Sequence, residues 1–252
     1  MRIAFFLLSI SVAVSAAAGQ CTAESGPRTA ALVELYTSEG CSSCPPADRW
    51  LSSLGSRGDW GRVVPIALHV DYWDYIGWKD PYAKREFSLR QRKLTHLQRM
   101  ALVYTPQVML QGRDFRGWGS PAFDQAVARI NARPAAAHIR LEIAGLESGG
   151  LRVRALAELL DVAQSDAALY LAAYENRLES RVTAGENRGR RLLHDYVVLE
   201  WQGPFAFSAP ALQEERLLPL LPKAVRANSG VVGFVQNRRS GEVLQALMLP
   251  VC

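Results

Sequence analysis

Cys41 and Cys44 are separated by two serines and followed at once by Pro45 and Pro46. Two thiols at this spacing can close a disulfide on each other, exchange it with another protein's thiols, or hold a soft metal ion. Before them, "AALVELYT" (30–37) is a continuous apolar, β-rich run, the pattern of a strand covered on both faces. After them, Ala47, Trp50, Leu51 and Leu54 share one helical face and Gly55 closes the segment. A strand-to-helix turn sets a thiol beside unpaired backbone N–H groups and the positive end of a helix dipole, which favours the thiolate. A second cysteine three residues on can then resolve a mixed disulfide. Glu39 acts the other way, because a neighbouring carboxylate disfavours a second negative charge. Pro46 cannot lie deep in a helix begun at Cys41, and Cys44, preceding a proline, is biased away from helical dihedrals. The helix is therefore expected to start at Pro45 or Pro46, with Cys44 near its N-cap. The dipole then favours Cys44 as much as Cys41; exposure makes Cys41 the expected nucleophile and Cys44 the resolving thiol.

Three other groups of residues carry chemistry. Thr105–Pro106 stand directly before a strand-like "QVML". "HVDYWDYIGWKDP" (69–81) is rich in aromatics, and loops that follow strands in α/β sheets often line a binding crevice. Tyr72 and Trp73 are thus candidates for one wall of a groove beside the cysteines, with His69, Asp71 and Asp74 as polar contacts; cover for the core is the alternative. No resident metal or other cofactor is expected. The alternative is a Cu or Zn site made by Cys41, Cys44 and His69, for which no fourth ligand is evident. His194–Asp195 lack a nearby nucleophile, so His194 is expected to be structural, bonding to the Gly-rich loop before it. No Gly-x-Ser-x-Gly elbow is present.

The elements that must position these residues follow from pattern. Residues 30 to 133 alternate apolar strands with helical stretches, including a Ser120-capped helix with Pro121 at its first position. From His138 onward the runs alternate in period two, separated by turns such as Ser148–Gly149–Gly150. This gives an α/β unit followed by a mainly antiparallel β-sandwich-like domain. "RLESRVTAGENRGRRLL" (177–193) reads as a long loop. At the start, Arg2, an apolar run and Ala16-x-Ala18 have the layout of a secretory signal peptide. The run is short for a span of about 20 residues, so the chain is expected to be periplasmic or secreted, with no stable membrane insertion after cleavage. A net charge of +5 without interleaved basic and aromatic residues argues against nucleic acid.

This order of parts resembles the thioredoxin fold. There the cysteine pair follows an early strand, and a cis proline before a later strand sits against it. The residue before the proline, here Thr105, pairs through its backbone with extended substrates. "ELYTSEGCSSCPPAD", "HVDYWDYIGWKDPYA", "YTPQVMLQG" and "GENRGRRLLHDYVV" together resemble the bacterial exported family of unknown function DUF1223, over nearly the whole chain after the leader. That resemblance implies a thioredoxin-like domain (28–133) and a β-rich domain (135–252). It supplies no reaction, but it implies that the Gly-rich loop before His194 recurs in the family, which keeps Arg188 as a candidate anion or interdomain contact. Protein thiols or disulfides are the expected partners of Cys41 and Cys44. A non-catalytic interaction module with a fixed Cys41–Cys44 bridge remains the structural alternative. If those two cysteines pair, Cys21 and Cys252 remain to bridge the chain ends, a pairing suited to an oxidising compartment; two lone thiols are the other possibility.

Overall fold

The computed structural model describes residues 21–55, 61–147 and 149–252; the expected signal peptide (1–18) lies outside the described residues. In chain order the elements are β1 (Cys21–Glu24), β2 (Ala31–Thr37), α1 (Pro45–Gly55), β3 (Val63–His69), α2 (Arg85–Leu97), β4 (Gln107–Leu110), β5 (Arg113–Asp114) and α3 (Pro121–Asn131). Then come β6 (Ala137–Glu147), β7 (Gly150–Leu159), β8 (Ala167–Glu175), β9 (Leu178–Arg181) and β10 (Arg191–His194). The last four are β11 (Val197–Ala206), β12 (Ala211–Pro219), β13 (Ser229–Asn237) and β14 (Val243–Pro250). A short 3-10 turn, Asp71–Ile76, follows β3.

Strands dominate, in one eight-stranded sheet, one of four strands and a two-stranded ribbon. The large sheet runs β14-β13-β8-β11-β3-β2-β4-β5. Its β2 and β3 are parallel, in register from Ala31 opposite Val63 to Thr37 opposite His69. β11 joins β3 in parallel at Val197 opposite Ala67, reinforced by Ala67 N–H donating to Tyr196 O at 2.8 Å. A single sheet therefore crosses the boundary expected near residue 134: the chain leaves this layer after α3 and later re-enters it.

Period-two alternation explains how the layers stack. In β2, Glu34 pairs with Arg90 of α2 while Thr37 bonds Asp48 of α1, so these helices cover opposite faces. β8 is buried along its whole length because both its faces are covered. Tyr170 joins the core shared with α2 and Phe234, whereas Leu169 and Leu171 join Ile139, Leu141, Val153 and Val231 in a second core under the small sheet β1-β6-β7-β12. That small sheet is antiparallel throughout and joins β1, from the start of the described chain, to three strands of the later half. Arg140, Arg152 and Arg154 pair across its strands with Glu24, Glu142, Glu147 and Glu215.

The helix bounds follow local chemistry. α1 starts at Pro45, as the two prolines require, and buries Ala47, Leu51 and Leu54. α3 starts at Pro121, with the Ser120 side chain accepting from Ala122 N–H. One expectation is corrected. The stretch read as a loop over 177–193 is a ribbon, β9 pairing with β10 from Arg181 opposite Arg191 to Leu178 opposite His194, and only residues 182–190 form its loop. Its polar, Gly-rich turn hid two strands of four residues each.

Candidate functional site: the Cys41–Cys44 turn

Cys41 and Cys44 are bonded to each other, with their Cα atoms 5.4 Å apart. Cys44 is the residue before α1, and its carbonyl accepts from both Ala47 N–H (2.9 Å) and Asp48 N–H (3.1 Å). That makes it the N-cap, with its sulfur at the positive end of the helix. Ser42 and Ser43 are exposed, yet Cys41 and Cys44 are only 1% and 0% exposed. Their cover comes from two sides.

The first cover is the aromatic turn. A Cβ at Gly40 would meet Trp73 Cβ at 3.0 Å and Ile76 Cδ1 at 3.3 Å, so glycine lets this turn close onto the residue next to Cys41. The Trp73 indole donates to Thr105 Oγ1 at 2.7 Å, and the Thr105–Pro106 bond is cis. Trp73 thereby ties the cysteine loop to the proline loop, while Tyr72, partly buried, packs on the core.

The second cover is the 182–190 loop. Asn187, fully buried, donates through Nδ2 to Glu39 O at 2.8 Å and Cys41 O at 3.0 Å. Glu186 accepts from Ser42 N–H at 3.0 Å. Gly185, at φ +70°, lies where a Cβ would sit 3.2 Å from Ile76 Cδ1, so the two covers touch. Of the Gly-rich loop, Asn187 rather than Arg188 makes the contact; Arg188 is exposed.

Behind the turn is a buried set of acids and imidazoles. Glu39, fully buried, accepts from Trp78 Nε1–H at 2.7 Å and lies 3.1 Å from His194 Nε2. Glu39 N–H donates to Asp80 Oδ2 at 2.8 Å, and His69 Nδ1 meets the same oxygen at 2.7 Å. Asp48 accepts from Thr37 Oγ1 at 2.8 Å and stands 3.9 Å from His194 Nδ1. The rings of His69 and His194 meet edge to face at 4.9 Å. Burial alone would lower the pKa of His69, but the carboxylates around it, Asp80 first and then Asp48 and Glu39, together raise it. Burial conversely works to raise Asp80, and His69 with two backbone N–H groups brings it below its ordinary value. The Asp48 carboxyl is raised by burial, against the pull of His194 and His69.

His194 thus bonds to Glu39 beside the disulfide rather than to the loop before it, and Asp195 is apart, accepting from Arg177 N–H at 2.9 Å. His69 is spoken for by Asp80, and among the described residues no group of three His, Cys, Asp or Glu is arranged to hold a metal ion. Cys21 and Cys252 are bonded across 231 residues of chain. Sequence reasoning did not single out Asn187, Glu186, Asp48 or Asp80 as parts of this turn, and Trp78 entered only as one aromatic of the 69–81 stretch. For Asp48 there was one usable signal, an acid in the first turn of the helix that follows the cysteines.

Residues 32–236 match the family described as a protein of unknown function, DUF1223. The chain belongs to the DUF1223 family. The matched span holds the cysteine turn, both of its covers and the imidazole set, so these parts all lie within the family's own segment. No curated protein matches this DUF1223 chain. Among solved structures it is similar to Agrobacterium tumefaciens protein AGR_C_4864, with a TM-score of 0.68 and 24% identity over 90% of this chain and 97% of that one. It is also similar to HBP35 of Porphyromonas gingivalis, with a TM-score of 0.68 and 15% identity over 90% of this chain and 76% of that one. At these identities the likeness is one of fold.

Proposed function

We propose that this chain is a periplasmic or secreted thioredoxin-like protein whose Cys41–Cys44 pair exchanges disulfides with protein thiols. The observation that carries the reading is the placement of the bonded pair at the N-terminus of α1, with Cys44 as its cap. A thiolate formed there faces the positive helix end, and thiolates are the species that exchange. The βαβ start formed by β2, α1 and β3, and the Thr105–Pro106 loop held by Trp73, support the likeness to thioredoxin.

In the reduced protein, the Cys41 thiolate attacks one sulfur of a partner disulfide. A mixed disulfide forms and the partner's other sulfur leaves as a thiolate, which takes a proton. Cys44, as thiolate, then attacks Cys41 Sγ, releasing the partner's second thiol and closing the bond seen here. The reverse sequence oxidises a partner dithiol and leaves Cys41 and Cys44 reduced.

Near-complete burial of both sulfurs favours a second reading, a fixed bridge in a non-catalytic interaction module. One experiment separates them: equilibrate the pair with glutathione, and use a Cys44→Ser variant to trap mixed disulfides. Exchange predicts a potential in the range of the glutathione pool and trapped partners. A potential below about −300 mV, where structural bridges lie, with no trapped partner, would sink the proposal and leave the bridge.

A further inference from the structure

On the α2 side of the large sheet, away from α1, a cavity of about 400 Å³ opens between α2 and strands β8, β11 and β13. Its size is in the lower part of the range of roughly 300–1,000 Å³ found for small-molecule sites. Its floor is the Arg90 guanidinium, lying over the rings of Trp201 (4.8 Å), Phe234 (5.1 Å) and Tyr170 (5.3 Å). Arg90 is already satisfied: its Nε donates to Glu34 Oε1 at 2.6 Å and both terminal nitrogens donate to Gln236 Oε1 at 3.1 Å. It shapes the floor and is not the free charge.

The free charges are Lys93, one turn short of the end of α2, and Arg238, just past β13. Among the described residues, neither has a carboxylate partner within salt-bridge distance, whereas Arg90, Arg140, Arg152 and Arg154 each have one. Burial, then Arg90 and Arg238, hold the Lys93 ammonium below the ordinary lysine range, so the three cations feel one another. Glu86, the carboxylate in the lining, faces Lys84 at 3.7 Å instead. Leu94, Leu97 and the exposed edge at Gly203–Pro204 supply the apolar wall, beside Gln236, whose Oε1 is taken by Arg90, and Asn237.

Two unpaired cations over an aromatic and aliphatic wall complement one class of ligand. We propose that this cavity binds a small organic anion with an apolar body, its carboxylate or other acid head between Lys93 and Arg238 and its body against Trp201 and Leu97. Charge fixes the head and excludes cations, while apolar burial supplies most of the affinity. This site is independent of the cysteine chemistry.

The test is calorimetric titration of the whole chain with 1-naphthoate and decanoate, with naphthalenemethanol as the uncharged counterpart. At least one acid is expected to bind one to one, and naphthalenemethanol about tenfold more weakly than naphthoate, the difference a charge-assisted contact makes. A Lys93→Gln/Arg238→Gln variant, changed only at exposed positions, should lose about the same factor for the acids and none for the alcohol, at an unaltered melting temperature. A Leu97→Trp variant, filling the cavity from the side, should weaken acid and alcohol alike. Failure of both acids to bind below about 1 mM would overturn the proposal. So would acid binding that ignores the double variant, or an alcohol that binds as tightly as the acid.

Discussion

Replacing Asn187 by alanine tests whether the 182–190 loop holds the cysteine turn closed. The substitution removes two buried N–H donations, to Glu39 O and Cys41 O. Cys41 O keeps a second donor in Cys44 N–H at 3.2 Å, whereas among the described residues Asn187 is the donor to Glu39 O. Each neutral hydrogen bond contributes about 0.5–1.5 kcal/mol net, and an orphaned buried acceptor adds a further penalty of about 1 kcal/mol or more. Part of the loss is returned, because Asn187 Oδ1 is itself buried without a partner and goes with the side chain. The balance is a destabilisation of about 1–3 kcal/mol. For a domain of this size that lowers Tm by roughly 3–10 °C. The assay is thermal unfolding with the disulfides intact, paired with the rate at which dithiothreitol reduces Cys41–Cys44. With its anchor gone the loop should open more often, and reduction should be several-fold faster. A variant that melts within about 1 °C of the parent and is reduced at the same rate would refute the idea that this loop is the cover.

The two bridges should differ in weight because they close loops of very different length. Chain-entropy arithmetic assigns about 5 kcal/mol to Cys21–Cys252, with a separation of 231 residues, and about 2 kcal/mol to Cys41–Cys44, with a separation of 3. Denaturant unfolding of Cys21→Ser/Cys252→Ser and Cys41→Ser/Cys44→Ser pairs measures both; the opposite order would contradict the assignment of weights. Asp48→Asn should change the pH profile of stability. Because burial raises the Asp48 carboxyl, the folded state binds its proton more tightly than the unfolded chain does, so stability falls as pH rises from about 4 through the raised value. Asparagine keeps an acceptor for Thr37 Oγ1 and removes that slope, so the variant should be the more stable of the two at pH 8. Urea titrations across the range check this, and parallel profiles for the two proteins would count against it.

How far the sequence led depends on the range of the force concerned. The start of α1 was legible because proline's missing N–H and fixed ring act within four residues. The Ser120 cap and the buried β2 run were legible for the same local reason. The longer strands of the later half showed through period two, but β9 and β10, hidden by their polar turn, did not, nor did β12, whose alternating "ALQEERLLP" exposes most of its side chains. The one-position contact of β11 with β3 has no pattern of its own, so the continuity of the large sheet was invisible. The site was half legible. Its cysteines and Thr105–Pro106 lie in short motifs, whereas Asn187 and His194 reach Glu39 and Cys41 from 146 to 155 positions away. Polar residues brought together over that distance leave no periodic trace, and only the topology makes His194 a neighbour of Glu39.

The late arrival of β9, β10 and β11 sets an order on synthesis. When residues 21 to 133 have left the ribosome, β3 still lacks one of its two neighbours, and Glu39 lacks the imidazole that faces it. The cysteine turn then lacks one of its two covers, with Asn187 and His194 not yet made. A nascent or truncated chain therefore presents its thiols under the aromatic turn alone, without the 182–190 cover of the finished protein, and is the form most exposed to pairing with the wrong cysteine. Completion of the last third of the chain both extends the sheet and shuts the turn.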